Sequence, residues 1–92
     1  MDLTITHDPA RSRFETEQEG HTAYIRYLAF EGGLDILSTQ VPGPLEGRGI
    51  AGALTRHVLE YARANGLRII PTCSYTVAYL RRHPEYAELV VY

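Results

Sequence analysis

The most constraining feature of this sequence is a change of hydrophobic period at a glycine-rich segment. Residues 34 to 41 alternate in part, as a β-strand does, and stop at Pro42-Gly43-Pro44, which cannot continue a strand ladder. From Gly47 onward the apolar residues instead follow one helical stripe, made of Ile50, Ala51, Leu54, Val58, Tyr61 and Ala62. Asn65-Gly66 is a helix stop signal. The sequence therefore predicts a strand, a glycine-rich turn and a helix between residues 34 and 65.

Three further strands are predicted before this unit. Short β-prone runs cover Leu3 to His7, Arg11 to Glu17 and Thr22 to Phe30. The last run is the strongest strand prediction, because it is apolar on both faces. Glu31-Gly32-Gly33 predicts a tight turn, so residues 22–30 and 34–41 should pair antiparallel.

The segment after the helix predicts a parallel strand and a second helix. Leu67 to Ile70 is short, apolar and bounded by Pro71, as expected of a buried parallel strand. Residues 74–82 predict a helix with Ser74 as its N-cap, and Pro84 to Leu89 predicts a short helical turn. The order β-β-β-β-α-β-α predicts a single α+β domain over residues 1–92. Its sheet should be mixed and mostly antiparallel, with one parallel strand–helix–strand crossover and a C-terminal helix.

Composition and charge argue against several classes of protein. The net charge is −2 and the basic residues are scattered, so the basic stripe of a nucleic-acid-binding protein is missing. The sequence has no apolar run of about 18 residues to span a membrane, and Met1 to Thr4 lacks the features of a signal peptide. The single cysteine cannot form an internal disulfide, which fits a cytoplasmic location. The spacing of His, Cys and carboxylate residues predicts no metal site.

The glycine-rich turn is a candidate phosphate site. A helix N-terminus has free N–H groups and a partial positive charge, so it attracts phosphate. Glycine at positions 47 and 49 would let a pyrophosphate approach the backbone, and Arg48 could add a direct charge. The segment has neither the Gly-Lys-Ser/Thr of a Walker loop nor the third glycine of a dinucleotide fingerprint. On local pattern alone it is equally compatible with a flexible turn.

Five blocks of sequence connect this chain to a known family. They are Thr39-Gln-Val-Pro42, Leu45-Glu-Gly-Arg-Gly-Ile-Ala51, Ala62-Arg-Ala-Asn-Gly-Leu67, Ile70-Pro-Thr-Cys-Ser-Tyr75 and Tyr79-Leu-Arg-Arg-His-Pro-Glu-Tyr86. In this order and spacing they resemble the small single-domain branch of the GNAT N-acetyltransferase superfamily. The resemblance runs from about residue 14 to Leu89, which is most of the chain.

The resemblance implies that acetyl-CoA, the co-substrate that carries coenzyme A, binds where the parallel strands 34–41 and 67–70 separate. Its pantetheine would pair with the backbone near residues 39–41, and its pyrophosphate would rest on the amides of residues 47–51. The implied cofactor-binding residues are Thr39, Gln40, Val41, Leu45, Gly47, Arg48, Gly49, Ile50, Ala51 and Ser74. Pro44 stands where the superfamily usually has Gln or Arg, which removes a side-chain contact but keeps the backbone cradle. The acceptor side should be shallow or completed by a partner, since this branch lacks a helical segment between the first two strands.

The resemblance also implies two catalytic residues. Tyr79 stands where many members carry a tyrosine that donates to the departing sulfur, although it could instead be a core aromatic. Cys73 could line the site, act as a nucleophile, or be a small buried hydrophobe. Ser38 occupies the place of a histidine that could serve as general base, so the base stays unassigned. His57 and His83 are interpreted as structural.

Three functions remain open from the sequence. The first is direct transfer of acetyl from acetyl-CoA to a primary amine, on a small molecule or a protein. The second is a CoA-binding module without useful catalysis, which the missing base at Ser38 favours. The third is a protein-interaction domain that keeps only the fold. The sequence defines neither the amine acceptor nor the oligomeric state.

Overall fold

The structure is a computed structural model, and it describes residues 3–91. Its strands are β1 (Thr6–Asp8), β2 (Arg13–Gln18), β3 (His21–Phe30), β4 (Gly33–Gln40) and β5 (Arg68–Pro71). Its α-helices are α1 (Ile50–Ala64) and α2 (Ser74–Arg82), and short 3₁₀ helices cover Pro9–Arg11, Gly43–Leu45 and Pro84–Leu89. The predicted order β-β-β-β-α-β-α and the α+β class are confirmed. Met1, Asp2 and Tyr92 lie outside the described residues, including the start of the segment judged to lack a signal peptide.

Within residues 3–91 the strands form one sheet in the order β1-β2-β3-β4-β5. Neighbouring strands pair antiparallel except β4 and β5, which pair parallel from Gly33 with Arg68 to Ile36 with Pro71. The helix α1 connects these two strands, so the predicted parallel crossover is confirmed. No helix in the described part of the chain is long and apolar enough to cross a membrane.

The hydrophobic core lies on one face of the sheet only. On β3 the alternate residues Ala23, Ile25 and Tyr27 are buried with the apolar stripe of α1. Leu28 and Phe30 point the other way and are 61% and 39% exposed. The prediction that this strand is apolar on both faces described its composition correctly, but only one face is buried, because the helices cover a single side.

Both helices begin at residues set by backbone geometry. Gly49 is the N-cap of α1, with a φ of 75° that favours glycine, so the helix starts at Ile50. The N-cap of α2 is Cys73, and the prediction of Ser74 at that position is wrong. The amide of Cys73 donates to the carbonyl of Ile36 on β4 at 2.8 Å, which holds Cys73 extended beside the strand. The helix therefore begins at the next residue.

A β-bulge in β4 turns its last residues. Arg26 pairs with Ser38 and Tyr27 pairs with Ile36, which leaves Leu37 as an extra residue on β4. In a regular strand Ile36 and Thr39 would point to opposite faces, because they are three positions apart. With the bulge, Thr39 lies opposite the buried Ile25 and shares the helix-covered face with Ile36. The bulge therefore directs the Thr39 side chain toward α2.

Candidate active site

The two parallel strands separate where the resemblance expects a cofactor. Their pairing ends at Ile36 and Pro71, while β4 continues to Gln40. After Pro71 the chain leaves the sheet and enters α2 at Ser74. We call the space between Leu37–Gln40 and the start of α2 the β4–α2 gap. It is an interruption in the sheet where an extended ligand can meet strand backbone.

Two predicted site residues meet in the β4–α2 gap. The hydroxyl of Thr39 lies 3.6 Å from the sulfur of Cys73, within hydrogen-bonding distance for sulfur. Both side chains are half-buried, and Cys73 packs against the edge of the core. The thiol is therefore neither a sealed core residue nor a freely exposed one, and a ligand in the gap can reach it.

The surroundings of Cys73 favour its thiolate. Burial by itself raises the pKa of the thiol, because it penalises the charged form. The amides of Thr76 and Tyr75 and the hydroxyls of Thr39 and Thr76 outweigh this, so the pKa lies below its usual value. The Cys73 side chain makes no capping hydrogen bond to α2, but it lies at the positive end of the helix. A larger fraction of Cys73 is thus ionised at neutral pH than of an ordinary cysteine.

An open cavity of about 240 Å³ runs from the end of β4 along the first turn of α1. We call it the glycine groove; its lining residues are Val41, Leu45, Glu46, Gly47, Gly49, Ile50, Ala51, Gly52 and Tyr75. Six of them were predicted as cofactor-binding residues. Leu45 and Ile50 are fully buried, so they pack into the core beneath the groove.

The glycine groove fits a phosphate-bearing ligand. The first backbone hydrogen bond of α1 runs from the amide of Ala53 to the carbonyl of Gly49, so the preceding amides have no acceptor within the helix. Gly49 has no side chain to cap them. A Cβ atom added at Gly47 or Gly49 would meet no described heavy atom within 4 Å, so both glycines border open space. An anion therefore has free donors and unobstructed access.

The sequence prediction missed three residues of the glycine groove, namely Glu46, Gly52 and Tyr75. Tyr75 crosses to α1, where a Cβ at Gly52 would lie 3.4 Å from its hydroxyl. A signal was available in the sequence, because Tyr75 and Tyr79 are four residues apart and lie on one helix face. No signal in the sequence identified the helix that this face packs against.

Arg48 and Tyr79 have contact partners outside the β4–α2 gap. The guanidinium of Arg48 pairs with Glu19 in the turn between β2 and β3. The ring of Tyr79 stacks on His83, with centroids 4.0 Å apart. Tyr79 also lines a second cavity, of about 380 Å³, between α1 and the chain after α2. Burial is the main cause that raises the pKa of the Tyr79 phenol.

The remaining predicted residues lie around the gap or away from it. Gln40 is exposed at the end of β4, and Ser74 is the exposed first residue of α2. Ser38 pairs with the exposed Arg26, on the sheet face opposite Thr39. His57 packs edge-on against Phe14 at a centroid distance of 5.8 Å, in keeping with a structural role. Residues 3–91 contain no cluster of His, Cys, Asp and Glu side chains that could hold a metal ion.

Comparison with known proteins decides the family. A family model described as GCN5-related N-acetyl-transferase matches residues 13–89. The chain belongs to this family. The match covers nearly the same residues as the resemblance drawn from the sequence blocks, which is thereby confirmed.

This GCN5-related chain is similar to several known proteins. It is 28% identical to Protein NATD1 of Mus musculus over 85 residues, covering 89% of this chain and 77% of that protein. Identity to Protein NATD1 of Homo sapiens is also 28%, over 89% of this chain and 75% of that protein. The solution structure of a GCN5-like protein from Staphylococcus aureus superposes with a TM-score of 0.75 at 28% identity, covering 97% of this chain and 88% of the other.

Proposed function

We propose that this GCN5-related protein binds acetyl-CoA and transfers the acetyl group directly to a primary amine, on a small molecule or a protein. One observation carries the proposal: the groove at the free amides of α1 lies next to the Thr39–Cys73 pair in the chain. Val41 and Tyr75 line the glycine groove, and each follows a member of that pair by two residues. Membership of the family supports the same class of reaction.

The glycine groove would hold the pyrophosphate on the backbone amides of residues 49–52. Gly47 and Gly49 would keep the approach open, and Leu45 and Ile50 would hold the loop in place through their buried side chains. Arg48 would join only by leaving Glu19, so we expect it to contribute less than the amides. The pantetheine would lie along Thr39 to Val41, with Ser74 and Tyr75 on the opposite side of the gap.

Acetyl transfer moves charge in a defined order. The amine nitrogen attacks the thioester carbonyl, a C–N bond forms and the C–S bond breaks. The nitrogen loses a proton and the leaving thiolate gains one, so negative charge passes from the carbonyl oxygen to the sulfur. The amides near Gln40 and Val41 would stabilise the oxygen. Among the described residues the gap holds no histidine, so water would carry the amine proton away.

We assign Cys73 to the wall of the acetyl site and Tyr79 as donor to the departing sulfur. The contact of Cys73 with Thr39 supports its role. Tyr79 would have to turn away from His83 to reach the sulfur. A nucleophilic Cys73 is the alternative: its sulfur would bond to the acetyl carbon, expel the CoA thiolate, and pass the acetyl on to the amine. We expect this chemistry in the cytoplasm, where the thiol stays reduced.

A second function, CoA binding without useful catalysis, is favoured by the position of Ser38. Its side chain lies on the sheet face opposite Cys73, so even a base at this position would need a path around β4. This alternative keeps the glycine groove and abandons the roles of Cys73 and Tyr79.

Calorimetric titration with acetyl-CoA tests the binding that both functions require. We expect micromolar affinity for the wild type and loss of binding in Gly49→Val. Gly20→Val is a matched control, because Gly20 has a similar positive φ, borders open space and lies in the turn between β2 and β3. Absence of binding to folded wild-type protein would remove both functions.

Turnover with a panel of primary amines then separates the two functions. Release of CoA above the level of a Cys73→Ala, Tyr79→Phe double variant supports the enzyme, while equal rates support the binding module. Intact-mass detection of one acetyl group on the wild type but not on Cys73→Ser would identify the nucleophilic route. A wild type that turns over without this mass supports direct transfer.

A further inference from the structure

A fully buried hydroxyl beside Cys73 has no hydrogen bond of its own. Thr76 is 0% exposed, and its oxygen has no partner among residues 3–91. Buried hydroxyls are usually paired, because an unpaired one loses its bonds to water without replacement. Thr55, the comparable buried threonine of α1, follows the rule and donates to the carbonyl of Ala51 at 2.8 Å. The unpaired hydroxyl of Thr76 therefore needs an explanation, whereas the paired hydroxyl of Thr55 does not.

The position of Thr76 in α2 supplies the explanation. Cys73 is the N-cap and Thr76 is the third residue of the helix, the position whose side chain reaches back to the N-cap in a capping box. The Thr76 hydroxyl favours the ionised sulfur, as the Thr39 hydroxyl does from β4. Because the Thr76 hydroxyl makes no other hydrogen bond among the described residues, its proton is available to a negative charge on the sulfur.

We propose that Thr76 is a positioning residue, which orients and stabilises the Cys73 thiolate from within α2 while Thr39 does so from β4. The sulfur would then lie between two hydroxyl donors at the positive end of a helix. The proposal builds on the site described above, but it concerns the thiol itself and does not require acetyl-CoA to bind.

The groups around the Cys73 sulfur allow its ionisation to be measured with a thiol reagent. The causes that shift the Cys73 pKa come from burial and from Thr39, Tyr75 and Thr76, with no charged side chain among them. The acid on the neighbouring strand, Asp35, accepts a hydrogen bond from Thr72 at 2.5 Å. Cys73 is also the sole cysteine of the sequence, so a thiol reagent reports on this position alone.

The test is the rate of alkylation of the full chain by iodoacetamide as a function of pH. Thr76→Val removes the hydroxyl at nearly constant volume, and we expect the midpoint of the profile to rise. The rate at pH 7 should fall by about fivefold or more, with the plateau at high pH unchanged, since a hydrogen bond to a charged group is lost. Thr76→Ser keeps a hydroxyl and should stay near the wild-type profile.

Thr55→Val is the matched control, because it makes the same change in a buried position of α1. A Thr76→Val midpoint equal to that of the wild type would overturn the proposal, as would an equal shift in Thr55→Val. If Thr76→Val does not fold, Thr76→Ala carries the same comparison. A shift in Thr76→Val in a protein that fails to bind acetyl-CoA would support Thr76 while rejecting the proposed function, and the reverse result would reject Thr76 alone.

Discussion

The Thr39 hydroxyl and the Cys73 sulfur lie 3.6 Å apart, although 34 positions separate them in the sequence. The contact joins the end of β4 that does not pair with β5 to Cys73, the N-cap of α2. It crosses the point where the parallel strands separate. It depends on the bulge at Leu37, which places Thr39 on the helix-covered face of the sheet. A strand irregularity thus links two residues that were predicted separately.

Thr39→Val should raise the pKa of Cys73. The Thr39 hydroxyl favours the thiolate, so its removal leaves less thiolate at neutral pH and slows alkylation there. The rate at high pH, where every molecule is ionised, should not change. Thr39→Ser should retain the wild-type profile, and a Thr39→Val profile identical to the wild type would contradict the contact.

Gly33→Ala should be strongly destabilising. A Cβ at this position would lie 2.3 Å from the Phe30 ring and 2.6 Å from the backbone oxygen of Arg68 on β5. The ring can rotate away but the strand oxygen cannot, so we expect a loss of about 2 kcal/mol or more in the free energy of unfolding. Denaturant unfolding measures it.

The neighbouring Gly32→Ala is the comparison for Gly33→Ala. Gly32 has a φ of 85° but borders open space, so only backbone strain of about 1 kcal/mol is expected. Equal losses in the two variants would show that the steric contact at Gly33 is unimportant.

Stability should decline at alkaline pH through Tyr86. Its hydroxyl donates to Glu60 at 2.5 Å, and burial, followed by this bond, raises the pKa of the phenol above its ordinary value of 10.0. A raised pKa in the folded state contributes stability below pH 10 that is lost as the pH rises toward the folded value. Tyr86→Phe should cost about 1–2 kcal/mol at neutral pH and reduce the alkaline decline.

Tyr61→Phe is the control for the alkaline transition. Tyr61 is also on the edge of the core, and its hydroxyl forms no hydrogen bond to another described residue. Thermal unfolding at pH 7 measures the loss of stability at neutral pH, and thermal unfolding above pH 10 measures the alkaline decline. A Tyr86→Phe protein with the wild-type alkaline decline would rule out this phenol as the cause.

Stability should also decline below neutral pH through His7. Burial lowers the pKa of this imidazole below its ordinary value of 6.5, and the ring stacks on Phe14 and bonds to the Tyr27 hydroxyl. A lowered pKa means that the folded state prefers the neutral ring. The contribution is therefore present above pH 6.5 and is lost as the pH falls toward the folded value.

His7→Gln should flatten the dependence of stability on pH below 6.5, whereas His21→Gln, at an exposed position in β3, should leave it unchanged. Denaturant midpoints at a series of pH values measure the two slopes. Parallel curves for wild type and His7→Gln would assign the acid transition to other groups.

Local sequence signals were sufficient to predict the secondary-structure elements and the fold class of this protein. The switch from strand to helical period around Gly47, the glycines with positive φ and the helix stop at Asn65-Gly66 depend on residues close together in the chain. The order of elements and the α+β class followed from such signals, whereas the family followed from the resemblance of the five sequence blocks. Most of the glycine groove followed as well, because a cradle of backbone amides is built from consecutive residues.

The tertiary structure alone decided how distant segments meet. The cross-strand register produced the bulge at Leu37 and brought Thr39 to Cys73. The bond from the Cys73 amide to Ile36 made Cys73, and not Ser74, the N-cap of α2. Packing turned Tyr79 onto His83 and left Tyr75 over the first turn of α1. These outcomes depend on pairings between residues far apart in the sequence, where one position of register or one rotamer changes the neighbour, and local propensity carries no information about either.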